Sequence, residues 1–448
     1  MLSPEDARTA AERLIEAAVR AGADAADVLC ASNRSSSVEV RLGELEDVTR
    51  SESEDIGLRV FIGNRSATVS SSDLSKDALD VLVERALAMA AEAPEDPYAG
   101  LAPSELLHRG PSTDLDLVGR AEPDPAELKH RALQAESAAL AVGGVTNSSG
   151  ASAGASGGTI ALATSAGFSG AYSVTGFSCS ASVIAGEGAT MQRDHAWHSA
   201  RHIADLDSPE SIGKLAGERA AARLNPERPK SGPMPVLFDP RVSHWLLGHL
   251  AGAISGSSVA RKSTFLLDKL GERIFAEGVT VVDDPLRLRG LRSRPFDGEG
   301  LRVERMEIVS GGILRTWMAD SASARQLGIA PTGHAARGAG GSPGVSPSNF
   351  YMTPGTRSRE ELLALYPEAL LVVELIGQGV NGVTGDYSRG EVGFLVRDGE
   401  IGPAVQEITI ASNLADMFAT LEPASDLEFR RGIDAPTILI PEMTVATA

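Results

Sequence analysis

Cysteine is scarce in this 448-residue chain, which contains only Cys30 and Cys179. Two cysteines cannot build the disulfide framework of a small secreted protein, and they suit a reducing compartment. Long apolar runs are also missing, because no stretch of about 18 apolar residues is available to cross a bilayer as a helix. The first 22 residues resemble an amphipathic helix with early acids, not a secretory signal. We therefore expect a cytoplasmic protein without a membrane segment.

Basic residues are outnumbered by acidic ones. The chain has 41 Lys and Arg residues against 60 Asp and Glu residues, which gives a formal net charge of -19. Sequence-independent binding of nucleic acid depends on basic residues that neutralise phosphates, so direct contact with nucleic acid is disfavoured. We interpret the acidic surface as a feature that keeps the protein in solution. Attraction of basic peptides is the less favoured alternative.

The length predicts more than one domain. In the first region, residues 1–110, Ser3 and Pro4 begin a helix, alternating segments follow, and a second helix runs over residues 75–92. This order indicates a sheet covered by helices. The stretch 93–125 is rich in Pro, Asp and Gly and is typical of a linker.

The second and third regions are expected at residues 120–226 and 233–448. In the second, helices are predicted at 125–140 and 209–224, on either side of a stretch rich in Gly, Ser, Ala and Thr. Its β-branched alternation favours strands, and a flexible linker is the alternative. The third region begins with a strand at 235–238, continues into a helix, and then contains many short strands, among them 301–309 and 313–318. Hairpins are predicted at Gly311-Gly312 and Asp398-Gly399.

The helix of the third region lacks a metal-binding pattern. Its segment LLGHLAGA, residues 246–253, contains one histidine, His249. A zinc-hydrolase helix carries His and Glu together and a second His about one turn later, so that two imidazoles reach one metal. Here Trp245 and Ala253 occupy the positions one turn away. His244 lies five residues before His249, about 140° round an ideal helix. Taken alone, the pattern predicts an ordinary core helix.

The flanking motifs carry a resemblance that covers nearly the whole chain. They are GSSVARKSTFLLD (256–268), RPFDGEG (294–300), GQGVNGVTGDYSRG (377–390), EITIASNL (407–414) and LIPEM (439–443). Together they resemble the PmbA (TldE) branch of the TldD/PmbA family, which is associated with modulation of DNA gyrase. The resemblance implies an α+β fold: an N-terminal helix-covered sheet domain, a Gly/Ser-rich central β region and a β-rich C-terminal domain.

The resemblance also implies which positions of this chain correspond to the metal ligands of the TldD branch. The TldD branch carries His-Glu-x-x-x-His on the corresponding helix and a cysteine ligand near its C-terminus. The matching positions here are Gly248, His249 and Ala253, with the cysteine position near Ala435. Zinc is therefore expected in a TldD-like partner and not in this chain. The family's substrates are unfolded or flexible peptides, in peptide maturation and antitoxin turnover.

The segment 377–390 is the strongest candidate for contact with a substrate. Its glycines allow close approach of a backbone, and its polar side chains could hydrogen-bond the main chain of a peptide. An alternative is that Asp386 and Arg389 pair with each other and fix the loop. The candidate substrate-binding residues are Gln378, Asn381, Asp386, Tyr387 and Arg389.

Two other features could serve a function. His195, His198 and His202 would share one face of a helix and could hold a metal. They follow a β-like region, however, and a strand would point the rings in different directions, so we disfavour a metal there. The glycine-rich residues 338–344 could form a mobile lid, a substrate-contacting loop or a simple connector.

We interpret the chain as a non-metal subunit of a heteromeric metallopeptidase that is inactive alone. A stand-alone scaffold that binds peptide or protein, with a homodimer as one assembly open to it, is the alternative. A peptidase that acts alone is disfavoured, because no complete set of catalytic groups converges in the sequence.

Overall fold

A single antiparallel sheet of six strands joins the first two regions of the chain in the computed structural model, which describes residues 1–447. Its spatial order is β3-β2-β1-β4-β5-β6, and the pairing of β1 with β4 connects the two regions. The strands are β1 Ala25–Arg41, β2 Glu44–Ile62, β3 Arg65–Ser71, β4 Val145–Thr164, β5 Ser169–Ala185 and β6 Gln192–Ala200.

Two pairs of helices cover one face of this sheet. Val28 and Cys30 of β1 pack with α1 and α2, and Val38 and Val40 pack with α3 and α4. These four positions are all even, so they lie on the same side of the strand. Ser3 accepts a hydrogen bond from the Asp6 backbone N–H and caps α1, as predicted. The helices are α1 Pro4–Arg20, α2 Lys76–Glu92, α3 Pro125–Leu140 and α4 Pro209–Ala222.

The Gly- and Ser-rich stretch forms strands, so the flexible-linker alternative is wrong. Strand β4 is paired with β1 on one side and β5 on the other. Cross-strand hydroxyl contacts join Ser152 to Ser180 at 2.9 Å and Thr159 to Ser173 at 2.8 Å. Small side chains reduce the apolar area of each strand, but pairing on both edges satisfies the backbone groups.

The C-terminal region contains a sheet that closes on itself. The order is β16-β15-β14-β7-β19-β17, and β16 also pairs with β19, so five strands form a barrel-like ring. This confirms the α+β fold with a β-rich C-terminal region. The strands are β7 Gly232–Phe238, β14 Glu368–Ile376, β15 Asp386–Arg397, β16 Glu400–Asn413, β17 Glu422–Pro423 and β19 Ile438–Thr447.

A smaller sheet of order β10-β9-β8-β13-β18 and a two-stranded hairpin, β11 with β12, complete the region. The strands are β8 Val281–Asp283, β9 Met306–Ser310, β10 Ile313–Leu314, β11 Ala335–Ala336, β12 Gly344–Val345, β13 Phe350–Met352 and β18 Ile433–Asp434. The helices are α5 Pro240–Ala253, α6 Gly256–Ala260, α7 Ser321–Leu327, α8 Arg359–Leu363 and α9 Leu414–Thr420. No helix within residues 1–447 combines the length and the apolar character needed to cross a bilayer.

Both predicted hairpins are present. Gly311 and Gly312 have φ of 57° and 82°, and Asp398 and Gly399 have φ of 50° and 85°. Two successive left-handed residues are what a two-residue hairpin turn requires. The strands predicted at 301–309 and 313–318 are shorter than expected, because only β9 and β10 pair in this hairpin.

The predicted linker 93–125 contains no strand or α-helix before α3 begins at Pro125, but it is not a free linker. Leu107, Leu115 and Leu117 are buried. Leu107 forms a β-bridge with Leu301 of the C-terminal region. The segment therefore packs against the C-terminal region instead of spanning solvent.

A buried cluster of charges joins the first sheet to the C-terminal region. Arg59 donates from Nε to Asp27 at 2.9 Å, and Arg337 donates to the other oxygen of the same carboxylate. Burial would raise the pKa of Asp27, but the Arg59 and Arg337 guanidinium groups lower it below its ordinary value. Beside this cluster, a Cβ at Gly57 would lie 1.7 Å from the carbonyl oxygen of Ala339. The glycine-rich loop 338–344 thus packs against β2, which favours the connector interpretation over a lid.

We predict that Asp27→Asn lowers the free energy of unfolding by about 3–5 kcal/mol, because two buried guanidinium groups lose their counter-charge. Unfolding in urea measures the change. Glu52→Gln is the matched control: its partner Arg50 is exposed, and the unfolding midpoint should stay the same. An unchanged midpoint for Asp27→Asn would contradict the role assigned to this cluster.

Candidate functional site

Helix α5 presents one apolar face to the core and one open face to a cavity. Asp239 caps it by accepting a hydrogen bond from the Arg241 backbone N–H at 3.0 Å, and Pro240 occupies its first turn. Leu246 and Leu250 are buried in the core. A Cβ added at Gly248 or Gly252 would meet nothing within 4 Å, so the opposite side of the helix is free of contacts.

The cavity beside α5, here called the helix cavity, has a volume of about 380 Å³. It brings together three of the four degenerate metal-motif positions, Gly248, His249 and Ala253, with the glycine-rich segment 377–390. Its remaining walls are Trp245, Gly252, Ser258, Ser263, Phe265, Gln378, Val380, Gly382, Arg389 and Leu414.

Ala435 does not line the helix cavity. It lines a larger cavity of about 820 Å³, which also involves β6, α4 and the start of α5. Its carbonyl oxygen accepts a hydrogen bond from the Ser243 hydroxyl at 3.1 Å. Trp245 is a wall of both cavities. Ala435 thus packs against the start of α5, while the three helix positions line the helix cavity.

His249 is neutral and has one nitrogen without a partner. Its Nε2 is buried and makes no hydrogen bond. Its ring lies edge-on to Tyr387, with 6.2 Å between centroids. Burial lowers the pKa of His249 to about 4, with a further contribution from the nearby Arg389 guanidinium. The ring is thus uncharged at neutral pH.

Arg389 does not pair with Asp386, so the loop-fixing alternative from the sequence is wrong. The Asp386 carboxylate accepts hydrogen bonds from Thr384 Oγ1 at 2.6 Å and from Asn413 Nδ2 at 3.3 Å. Positions 386 and 389 of β15 point to opposite faces of the strand. Arg389 instead lies over the Trp245 ring, 5.5 Å from its centroid, and is only 7% exposed.

The other predicted contact residues support the segment and do not line the cavity. Asn381 Oδ1 accepts from the Val383 and Thr384 backbone N–H groups at 2.9 and 3.3 Å. Tyr387 is buried, and its hydroxyl has no hydrogen-bond partner. Only Gln378 and Arg389 of the five candidates face the helix cavity.

Glu391 continues the inward face of β15. Both of its carboxyl oxygens are buried without a hydrogen bond, and burial raises the pKa of Glu391 well above its ordinary value. Burial thus favours the protonated form of this carboxyl group. Sequence reasoning missed Trp245, Phe265 and Leu414 as walls of the cavity. The position of Trp245, one turn before His249, was the available signal.

The helix cavity does not fit zinc. Structural and catalytic zinc sites use three or four His, Cys or carboxylate ligands, and this cavity offers His249 alone. The positive charge of Arg389 opposes a cation beside it. Across residues 1–447 there is no group of three or more His, Cys, Asp and Glu side chains arranged to hold a metal.

The three central histidines meet different neighbours. His195 is exposed beside Asp194. His198 Nδ1 accepts from the Asp207 backbone N–H at 3.0 Å, and His202 Nε2 bonds the Asp116 carbonyl oxygen at 2.9 Å. The strand β6 separates the first two rings, as the alternation predicted.

Fold and site together define an α+β protein with an open cavity along one helix. Three family models match the chain in order: the PmbA/TldA metallopeptidase domain 1 at residues 26–90, the central domain at 120–224 and the C-terminal domain at 231–447. The metalloprotease PmbA of Escherichia coli O157:H7 is 41% identical over 425 residues, covering 94% of this chain and 92% of that protein. The chain belongs to the PmbA/TldD metallopeptidase family, which confirms the resemblance.

Further relatives agree. The metalloprotease PmbA homolog of Haemophilus influenzae is 38% identical over 445 residues, 99% of this chain and 96% of that protein. The crystal structure of a proposed modulator of DNA gyrase from Bacteroides thetaiotaomicron superimposes with a TM-score of 0.92, 25% identity and full coverage of both chains. TldE from Thermococcus kodakarensis shares the fold, with a TM-score of 0.87, 20% identity, and coverage of 97% of this chain and 99% of that chain.

We predict that Gly248→Ala raises the free energy of unfolding by about 0.5–1 kcal/mol, because glycine weakens a helix interior and a methyl group has free space here. Thermal unfolding measures the shift. Gly213→Ala in α4 is the matched control and should destabilise, since its Cβ would lie 1.9 Å from the Ala135 carbonyl oxygen. A loss of stability for Gly248→Ala would contradict an open helix cavity.

Proposed function

We propose that this chain is the non-metal subunit of a TldD/TldE-type metallopeptidase. A TldD-like partner supplies the zinc and the catalytic glutamate, and the present chain completes the assembly. The observation that supports this proposal is an open cavity along α5 in a metallopeptidase relative, at the expected metal-motif positions, where His249 stands without other ligands.

The proposed substrates are unfolded or flexible peptides, as in peptide maturation and antitoxin turnover. A cavity of about 380 Å³ is of the size that holds a small ligand or a few side chains and cannot admit a folded domain. The glycines of the segment 377–390 leave its backbone accessible. Gln378 and Arg389 are then the polar groups available to a peptide that enters the helix cavity.

Hydrolysis of an unstructured peptide tests the proposal. We expect no cleavage by this chain alone and cleavage when a TldD-type protein from the same organism is added. A metal chelator should abolish the activity of the mixture, because the partner would hold the zinc.

Each other outcome of the mixing experiment has a distinct meaning. Cleavage by the isolated chain would overturn the assignment as a non-catalytic subunit. Full activity of the partner alone, unchanged on adding this chain, would favour the stand-alone binding scaffold or homodimer instead.

Restoring the helix motif should not restore catalysis. We predict that the triple variant Gly248→His, His249→Glu, Ala253→His shows no robust zinc-dependent turnover by itself. Ala435, at the position expected to supply a thiolate, has no thiol, and the Arg389 charge remains beside the helix. Peptide hydrolysis with added zinc measures the outcome. Turnover near that of an assembled metallopeptidase would refute this account.

A further inference from the structure

Arg389 is a buried charge without a counter-charge. Its side chain is on a residue that is 7% exposed, and its Nε is completely buried without a hydrogen bond. Among residues 1–447, no hydrogen-bond acceptor or carboxylate contacts its guanidinium group. The guanidinium instead lies over the aromatic ring of Trp245. A mostly buried charge without a counter-charge is unfavourable for the fold. The terminal guanidinium nitrogens of Arg389 are not among the fully buried atoms, and the side chain lines the helix cavity.

Nearby carboxylates do not provide that compensation. Asp386 is on the opposite face of β15 and is bonded to Thr384 and Asn413. Glu391 is on the same face, but its two oxygens contact no donor and no cation. The Arg389 charge is therefore available to pair with an anionic group from outside residues 1–447.

The helix cavity is arranged to receive an anion at Arg389. None of its walls carries a carboxylate, although the whole chain has a net charge of -19. His249 and Gln378 also line the cavity and add polar side chains beside Arg389. Gly248 and Gly252 leave space along α5 for a main chain. Phe265 and Leu414 form an apolar wall on the same cavity.

We propose that the helix cavity binds the C-terminal carboxylate of a peptide through Arg389. The planar guanidinium presents parallel N–H groups that match the two oxygens of a carboxylate. The apolar wall takes the last side chain of the peptide, and the glycine side of α5 accommodates its backbone. The choice of a peptide as the source of the carboxylate rests on the proposed function. The inference of an anion site depends only on Arg389 and the helix cavity.

Calorimetric titration of the isolated full chain tests the proposal at neutral pH. The probes are N-acetyl-Gly-Gly-Leu with a free C-terminus, the same peptide with a C-terminal amide, and N-acetyl-Gly-Glu-Leu-amide. We expect the free acid to bind about tenfold to a hundredfold more tightly than its amide, as for a hydrogen-bonded charge. The glutamate-containing amide should bind as weakly as the simple amide.

Substitutions in β15 test whether Arg389 causes the preference for the free acid over the amide. Arg389→Gln should remove the preference for the free acid, and Arg389→Lys should keep only part of it, because lysine retains the charge but not the planar group. Arg397→Gln is the matched control: Arg397 is on the same strand, is half exposed, and pairs with Glu368, so the preference should persist. Arg389→Gln removes an unpaired charge, so its thermal unfolding midpoint without peptide should be higher than that of the unaltered protein. The same measurement shows that the variant folds.

Equal binding of acid and amide, or a preference that survives Arg389→Gln, would overturn the carboxylate site. Tight binding of the glutamate-containing amide would overturn the assignment to a C-terminus and indicate a side-chain carboxylate. The titration uses no partner protein. Its result can therefore be interpreted even if the hydrolysis experiment contradicts the two-subunit proposal.

Discussion

The closure of the C-terminal sheet fixes the geometry on which the helix cavity depends. Strand β16 pairs with β15 on one side and β19 on the other, so β15 is held along its length within a ring of strands. Tyr387 of β15 enters the same core as Leu246 and Leu250 of α5. This packing places the inward positions of β15 against the helix. Because Arg389 is one of these inward positions, this packing also places it close to His249 of α5.

Buried charge is handled in two different ways in the same molecule. At the junction between the first sheet and the C-terminal region, two guanidinium groups share the Asp27 carboxylate, and the charges compensate each other. In the helix cavity, Arg389 has no such partner among residues 1–447. A compensated cluster is a structural connection, whereas an uncompensated charge in an open cavity indicates a binding site.

The helix cavity also illustrates how one fold can support different chemistry. A metal site needs several convergent donors, and a single neutral histidine cannot provide them. A positive side chain at the same place reverses the preference of the cavity from a cation to an anion. Membership of a metallopeptidase family therefore identifies the fold, while the side chains present decide what a cavity in that fold can bind.

Local patterns in the sequence determined much of the fold. Helices were predicted close to α1, α2, α3 and α4, with Ser3 and Pro4 marking the start of α1. The two hairpins were visible as residue pairs that tolerate positive φ. The family motifs flank α5, and the metal-motif positions assigned to this helix stay a prediction. Strands at 301–309 and 313–318 were overestimated because strand length depends on partners that a local pattern does not contain.

Long-range pairing decided the rest. The pairing of β1 with β4 and of β16 with β19 was not visible in local patterns, since these contacts connect residues far apart in the chain. Asp386 and Arg389 were close enough in sequence to suggest a pair, but the strand turned them to opposite faces. The contact of Ala435 with Ser243 of α5 was likewise invisible, because side-chain proximity across elements is set by packing and not by spacing.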